Sequence, residues 1–340
     1  MNPSISTSIL SPGNARGEQA ESDPPVEVVR CPPVEVVGRP PMEVVRPVGE
    51  LRAKLKAARD SRRTIGLVPT MGALHEGHLS LIRRAREDCD VVVVSLFVNP
   101  AQFNEAADLE RYPRDEQRDR ALARMAGADL LFAPSTEQIY PRGFSTSVEV
   151  LGLTDRLEGA VRGSAHFKGV TTVVAKLLNM VAPDVAYFGQ KDAQQVAVIK
   201  RMVRDLDMTV RIEACPTVRE PDGLAMSSRN AHLSEAERVR ALALSKALAG
   251  ACVAVSDGER SAELLTETVR ASMGNLDVEP EYVELVSPDT FEPVSELDEP
   301  ALLAIAARVG STRLIDNVTL YPAVHPEPAT PRETRAICSV

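Results

Sequence analysis

The run VVVVSLFV, Val91 to Val98, constrains this chain more than any other stretch. Four consecutive β-branched residues cannot alternate between a wet face and a dry one. The run reads as a strand covered on both faces, as in parallel sheets flanked by helices. Its neighbours fit that frame. ELRAKLKAARD reads as a helix and TIGLVP (64–69) as a short strand. HLSLIRRAREDC places Leu79, Ile82, Ala85 and Arg86 at helical spacing, with Leu81 flanking. Beyond the valine run come a helix near 115–126, the strand ADLLFAP and the helix GVTTVVAKLLNMV. The strand DVAYFG, the helix AQQVAVIKRMVRDL and the strand MTVRIEA follow. Strand alternating with helix predicts a Rossmann-like, doubly wound parallel α/β sheet.

The pattern changes near residue 218. Two long amphipathic helices, SEAERVRALALSKALAGACVAV and SAELLTETVRASM, precede three strand-like runs, PEYVELVSP, ALLAIAARVG and STRLIDNVTL. These predict a smaller α+β domain over 218–322, after an α/β domain over 44–217. Residues 1–43 read as a disordered Pro-rich extension. Three copies of PPxEVV begin there at Pro24, Pro32 and Pro40, too closely spaced for a solenoid. They read as a stiff linker or as short strands able to join a sheet edge. The third copy runs into the first helix and can supply the domain's first ordered turn. Residues 323–340 read as a flexible tail.

The formal net charge of −9 argues against non-specific nucleic-acid binding, which needs cations facing phosphates. It leaves room for a local basic pocket. The five cysteines are scattered and form no CxxC pair, which points to reduced thiols and a cytoplasmic setting. No apolar run approaches the ~20 residues that span a bilayer, so no membrane association is expected. The N-terminus lacks the continuous apolar segment of a signal peptide.

The stretch PTMGALHEGHL (69–79) holds the first chemical signal. It lies where a strand ends and a helix begins. Ligands of open α/β sheets bind there, and a helix N-terminus offers free N–H groups and partial positive charge. His75 and His78 share a face once the helix has begun. A zinc site would need further ligands, and HEGH lacks the i,i+4 spacing of the HExxH helix. Ordinary turn and cap histidines are a second alternative. A phosphate site suits the imidazoles best, since they can donate to phosphate oxygens in either protonation state.

An HxGH element at this place marks the nucleotidylyltransferase superfamily. Five further segments narrow the reading: FVNPAQFN (97–104), YPR (112–114), HFKGVTTVVAKL (166–177), YFGQKDAQQ (187–195) and PTVREPDGLAMSSRNAHLS (216–234). With PTMGALHEGH they closely resemble the pantothenate synthetase (pantoate–β-alanine ligase) family over about residues 44 to 322. That resemblance implies two steps. The carboxylate of pantoate attacks the α-phosphorus of ATP, giving pantoyl adenylate and pyrophosphate. The amine of β-alanine then displaces AMP, giving pantothenate. It also implies Mg²⁺ with ATP and a homodimer.

The resemblance carries roles onto matching positions. His78, His75 and Lys191 are the expected catalytic residues, with His78 at the proton-donor position. Met71, Gly72, Ala73, Leu74, His75, Glu76, Gly77 and His78 form the expected ATP loop. Gly189, Gln190, Lys191, Asp192 and Val218 add nucleotide contacts. Met226, Ser227, Ser228 and Arg229 form a lid with two hydroxyls and a guanidinium fork. Gln102 and Gln195 match the pantoate glutamines, joined by Asn99 and His166, while Pro100 and Phe103 could line the gem-dimethyl group. Asp119 is the candidate magnesium ligand. One departure stands out. The family usually has RPxH before its HFxGV segment, whereas RGSAHF puts Arg162 four residues before His166 and lacks the proline. Two other readings remain. A class I tRNA-synthetase relative would want a KMSKS-type loop and a basic RNA-facing domain. A nucleotide-binding regulator without turnover would lack His78, Lys191 or the SSR loop.

Overall fold

The computed structural model describes residues 41–103 and 106–322; the extension's first two repeats and the tail lie outside them. Its elements run in the order β1 (Glu43–Val45), α1 (Val48–Asp60), β2 (Ile65–Thr70), α2 (Glu76–Asp88), β3 (Val91–Leu96), α3 (Ala106–Arg111), α4 (Glu116–Ala126), β4 (Leu130–Phe132) and α5 (Thr136–Ile139). Then come α6 (Glu158–Arg162), α7 (Ser164–Val181), β5 (Val185–Gly189), α8 (Ala193–Asp205) and β6 (Arg211–Cys215). The C-terminal part holds α9 (Glu235–Ser256), α10 (Ala262–Gly274), β7 (Pro280–Val286), β8 (Ala301–Val309) and β9 (Thr312–Leu320).

Among the described residues, six strands form one parallel sheet in the order β1-β4-β3-β2-β5-β6. The valine run is its central strand β3. Val91 and Val93 enter one hydrophobic cluster, with Leu51 and Leu55 of α1 and with residues of α7 and α8. Val92 and Val94 enter the cluster on the other face, with Leu79 and Ile82 of α2 and Ala123 of α4. Both faces are therefore dry, as the unbroken run demands. Each such side chain contributes roughly 1.5–3 kcal/mol on burial.

The third repeat forms more than a turn. Glu43–Val45 is a strand, paired in parallel with β4. The Glu43 N–H donates to the Asp129 carbonyl (3.0 Å), and the Val45 carbonyl accepts from Ala133 N–H (2.9 Å). Met42 and Val45 are buried on opposite faces of the sheet. Pro47 then caps α1, where a missing N–H is tolerated.

The C-terminal part packs α9 and α10 on a three-stranded antiparallel sheet, β7-β8-β9, with its own hydrophobic cluster. Its helix α9 is long and apolar enough to cross a membrane by length and composition alone, though no run in the sequence suggested one. The helix buries Ala241, Leu244, Ala247, Leu248 and Ala251 in that cluster, as a core helix does. A Ser234–Glu237 capping box starts it.

If β1 seals the sheet edge, a chain beginning at Pro41 should unfold at the same urea midpoint as the full chain. A chain beginning at Pro47 should unfold earlier. Val45→Asp, an unpaired charge at a fully buried site, should cost about 3 kcal/mol or more. Glu43→Ala, which removes only the exposed pair with Lys54, should leave the midpoint almost unchanged.

Candidate active site

The chain runs β2, β3, β4 outward on one side of β2, then returns to lay β5 on the other side. Helix α2 follows β2 onto one face of the sheet, and α8 follows β5 onto the opposite face. The carboxyl ends of β2 and β5 thus open a crevice between them. A cavity of ≈ 290 Å³ sits there.

The turn after β2 is built against strain. Gly72 and Ala73 take left-handed backbone angles (φ +89° and +51°). Asp119 of α4, almost fully buried, clamps the turn: its carboxylate accepts the N–H groups of Ala73 (2.9 Å) and Leu74 (2.7 Å). A side chain at Gly72 would press on that carboxylate and on Leu96. Asp119, the expected magnesium ligand, gives both oxygens to backbone donors and is not among the residues lining the cavity. No group of three or more His, Cys, Asp or Glu residues that could hold a metal occurs among the described residues.

His75 is the N-cap of α2 and His78 lies in its first turn, with ring centroids 4.1 Å apart. The His75 backbone N–H donates to His78 Nδ1 (3.4 Å). That nitrogen is therefore unprotonated, and the neutral ring carries its hydrogen on Nε2. Burial, then the neighbouring His75 and Lys191, push His78 down to about 3. Burial and Lys191 also lower His75. His78 is thus a neutral N–H donor rather than an imidazolium.

Lys191 follows β5 in a short 3-10 turn and makes no ion pair among the described residues. Asn317 of β9 holds this turn, donating from Nδ2 to the carbonyls of Gln190 (3.1 Å) and Lys191 (2.9 Å). The adjacent Asp316 grips Arg219 (2.6 Å), at the start of the lid segment. Within that segment the Met226 N–H donates to the Val218 carbonyl (2.9 Å), so two expected nucleotide contacts are paired with each other. Ser227, Ser228 and Arg229 line the cavity beyond them.

On the other side, Asn99 is buried and its amide is saturated. Its Oδ1 accepts from Ala101 N–H (3.2 Å) and Tyr140 O–H (2.8 Å); its Nδ2 donates to the Gly169 carbonyl (3.1 Å) and to Gln102 Oε1 (3.1 Å). Two of those partners are backbone groups of fixed polarity, so the amide has one orientation. Asn99 lines the cavity and holds Gln102 in place. Gln102 keeps Nε2 forward, beside Met71 Sδ (2.8 Å). Gly169 permits the close approach, since a Cβ there would lie 2.2 Å from the Ala101 carbonyl oxygen.

The extra residue of RGSAHF is absorbed where α6 meets α7. Gly163 turns with φ +80°, and α7 begins at Ser164 instead of near Gly169, so His166 lies in its first turn. Arg162 and His166 both line the cavity. Arg162 Nε donates to Glu158 (2.7 Å), which also accepts from Arg313 (2.8 Å) and Tyr282 (3.0 Å) of the C-terminal sheet. Burial alone would raise the Glu158 carboxyl, but Arg313 and Arg162 outweigh it and hold it at about 2.

Most expected residues converge on this cavity, Gly189, Asp192, Gln195, Gly77 and Met71 included. Leu74 instead points into the core, and Glu76 faces solvent and pairs with Arg83. Gly72, Ala73 and Gln190 act through backbone, and Pro100 and Phe103 lie off the cavity wall, with Phe103 edge-on to Tyr112. Sequence reasoning missed Tyr282, Asp316 and Asn317, which come from a different sheet and belong to no spacing pattern shared with the loops they meet.

The depressed His78 has a consequence for stability. Its folded form stays neutral while the unfolded ring protonates below ~6.5. The stability it supports is complete above that value and falls as pH drops toward 3, by up to ~1.4 kcal/mol per pH unit. Urea midpoints between pH 7 and 4 should therefore fall less steeply for His78→Gln than for the native chain. Asp119→Ala should loosen the turn after β2, and amide hydrogen exchange at Ala73 and Leu74 should speed by about tenfold or more, the scale for losing charge-assisted bonds.

The family model for pantoate–β-alanine ligase matches residues 43–319. The pantothenate synthetase of Thermotoga petrophila is 52% identical over 277 residues, covering 81% of this chain and 99% of the relative. Pantothenate synthetase 1 of Bradyrhizobium diazoefficiens is 55% identical over 274 residues, covering 80% and 96%. Among solved structures, pantothenate synthetase from Thermus thermophilus superposes with a TM-score of 0.78 at 47% identity, covering 83% of this chain and all of that one. Pantoate–β-alanine ligase from Francisella tularensis, solved with β,γ ATP and β-alanine, gives 0.67 at 35% identity, covering 82% and 97%. A clamped HEGH turn, a lysine across the crevice and a match along the whole described fold agree: this chain belongs to the pantoate–β-alanine ligase family.

Proposed function

We propose that this chain condenses (R)-pantoate with β-alanine, driven by ATP, to give pantothenate, AMP and pyrophosphate through pantoyl adenylate. The observation that carries the reading is the crevice between β2 and β5. There a neutral N–H donor on His78 and the ammonium of Lys191 face one cavity. The attacking carboxylate is already an anion, so no strong base is needed in the first step. The barrier lies in joining two anions and stabilising the departing pyrophosphate. His78 Nε2–H, His75 and Lys191 supply donors and charge for that group, and the α2 N-terminus adds its partial charge.

Pantoate fits the opposite wall. Gln102 offers Nε2–H to its carboxylate, Gln195 an amide to its hydroxyls, and Val170 and Val174 an apolar surface to its gem-dimethyl group. Ser227, Ser228 and Arg229 close over the phosphates and keep water from an adenylate that hydrolyses easily. Magnesium is expected to arrive with the ATP phosphates. Asp119 does not fit as its ligand, and no step here runs through the ion. A homodimer and a cytoplasmic setting complete the reading, supported by the family resemblance and by cysteine usage respectively.

Pantoate-dependent exchange of labelled pyrophosphate into ATP tests this function. Exchange should require pantoate and should not occur with amino acids in its place; exchange with an amino acid alone would sink the ligase reading. His78→Ala should slow adenylate formation by ~10²–10³-fold in single-turnover kinetics, the scale for one preorganised donor.

A further inference from the structure

The second step needs a base. An amino acid arrives as its ammonium form, which has no lone pair for the acyl carbon. We propose that Nε2 of His166 takes that proton from β-alanine; the inference rests on the ligase function above. His166 Nδ1 lies 2.8 Å from the backbone carbonyl oxygen of Gln102. A carbonyl only accepts, so Nδ1 carries the hydrogen and the neutral ring keeps its lone pair on Nε2. No hydrogen bond engages Nε2 among the described residues, and the ring lines the cavity. Catalytic histidines elsewhere are oriented in the same way, with one N–H tied to a fixed acceptor.

The other groups in the cavity are poorly suited. His78 has the opposite tautomer, so the nitrogen it turns away from the loop already bears a hydrogen. His75 packs against that ring, and the Lys191 charge opposes a further proton. Glu158 is occupied by Arg162, Arg313 and Tyr282. Asp192 also lines the cavity. A carboxylate is a weak base for an ammonium but a good partner for one. The charged groups facing His166 are Arg162 and Glu158 of α6 and Asp192 after β5. Burial and Arg162 lower the ring below its usual value, so it is neutral and ready to accept at pH 7.

In this step one ammonium proton passes to Nε2, and the freed nitrogen lone pair bonds to the acyl carbon of pantoyl adenylate. The acyl C–O bond to phosphate breaks, and its electron pair leaves with AMP. The second nitrogen proton goes to the departing AMP phosphate, and the imidazolium later releases its own proton to solvent.

His166→Asn tests the role, because asparagine Nδ2 can still donate to the Gln102 carbonyl while offering no base. Reaction of preformed pantoyl adenylate with β-alanine at pH 7 should slow by ~10²-fold or more, and by at least about tenfold more than any slowing of pyrophosphate exchange. Hydroxylamine, an amine already uncharged at that pH, should react at near-native rate. The native β-alanine step should also slow as pH falls through imidazole protonation below ~6.5, and this limb should vanish in the variant. A β-alanine step within about threefold of native would overturn the proposal, as would equal slowing with hydroxylamine, which marks a positioning role. Exchange slowed as much as the β-alanine step would assign His166 to pantoate binding alone and also overturn it. Absence of exchange in the native enzyme would instead reject the ligase function itself.

Discussion

The divergence of two adjacent strands governs this molecule. β2 and β5 lie side by side, and the helices that follow them cross to opposite faces of the sheet. That divergence leaves a gap at their carboxyl ends, which the first turns of both helices line. Both following turns therefore border one space. That space is where the histidines and the lysine meet.

Holding the turns still is a separate problem, and buried polar groups outside them solve it. Asp119 fixes the turn after β2 through two N–H groups. Asn317 fixes the turn after β5 through two carbonyls. Asn99 fixes Gln102 with an amide that has no free position left. In each case a buried polar residue decides how another residue presents itself. Preorganisation of this kind matters for a reaction whose barrier is largely electrostatic, because donors already in place need no reorganisation as charge develops.

The same logic separates the histidines by tautomer. His78 receives a backbone N–H on Nδ1 and shows an N–H outward. His166 gives its Nδ1–H to a backbone carbonyl and shows a lone pair outward. One imidazole is made a donor and the other an acceptor by a single backbone partner each. Burial keeps both neutral, so the difference persists at ordinary pH.

By itself the sequence determined the parallel sheet, the helix–strand order, the antiparallel C-terminal part and the position of HEGH at a strand end. Those follow from local periodicity: an unbroken valine run must be dry on both faces, and glycine-rich turns must sit between elements. It also brought Gln102, Gln195, Lys191 and the SSR segment into one reading, through motifs preserved in order. Only tertiary structure decided the rest. Asp119 read as a metal ligand, and its clamp on the loop showed only once α4 packed there. That Asn99 holds Gln102 showed only once Tyr140 and Gly169 were seen to fill its other hydrogen bonds. The third repeat could have been linker or strand until β4 offered an edge. Tyr282 and Asn317 carried no signal at all. Partners of this sort lie scores of residues apart, and their meeting depends on how packed layers stack, which no local spacing encodes.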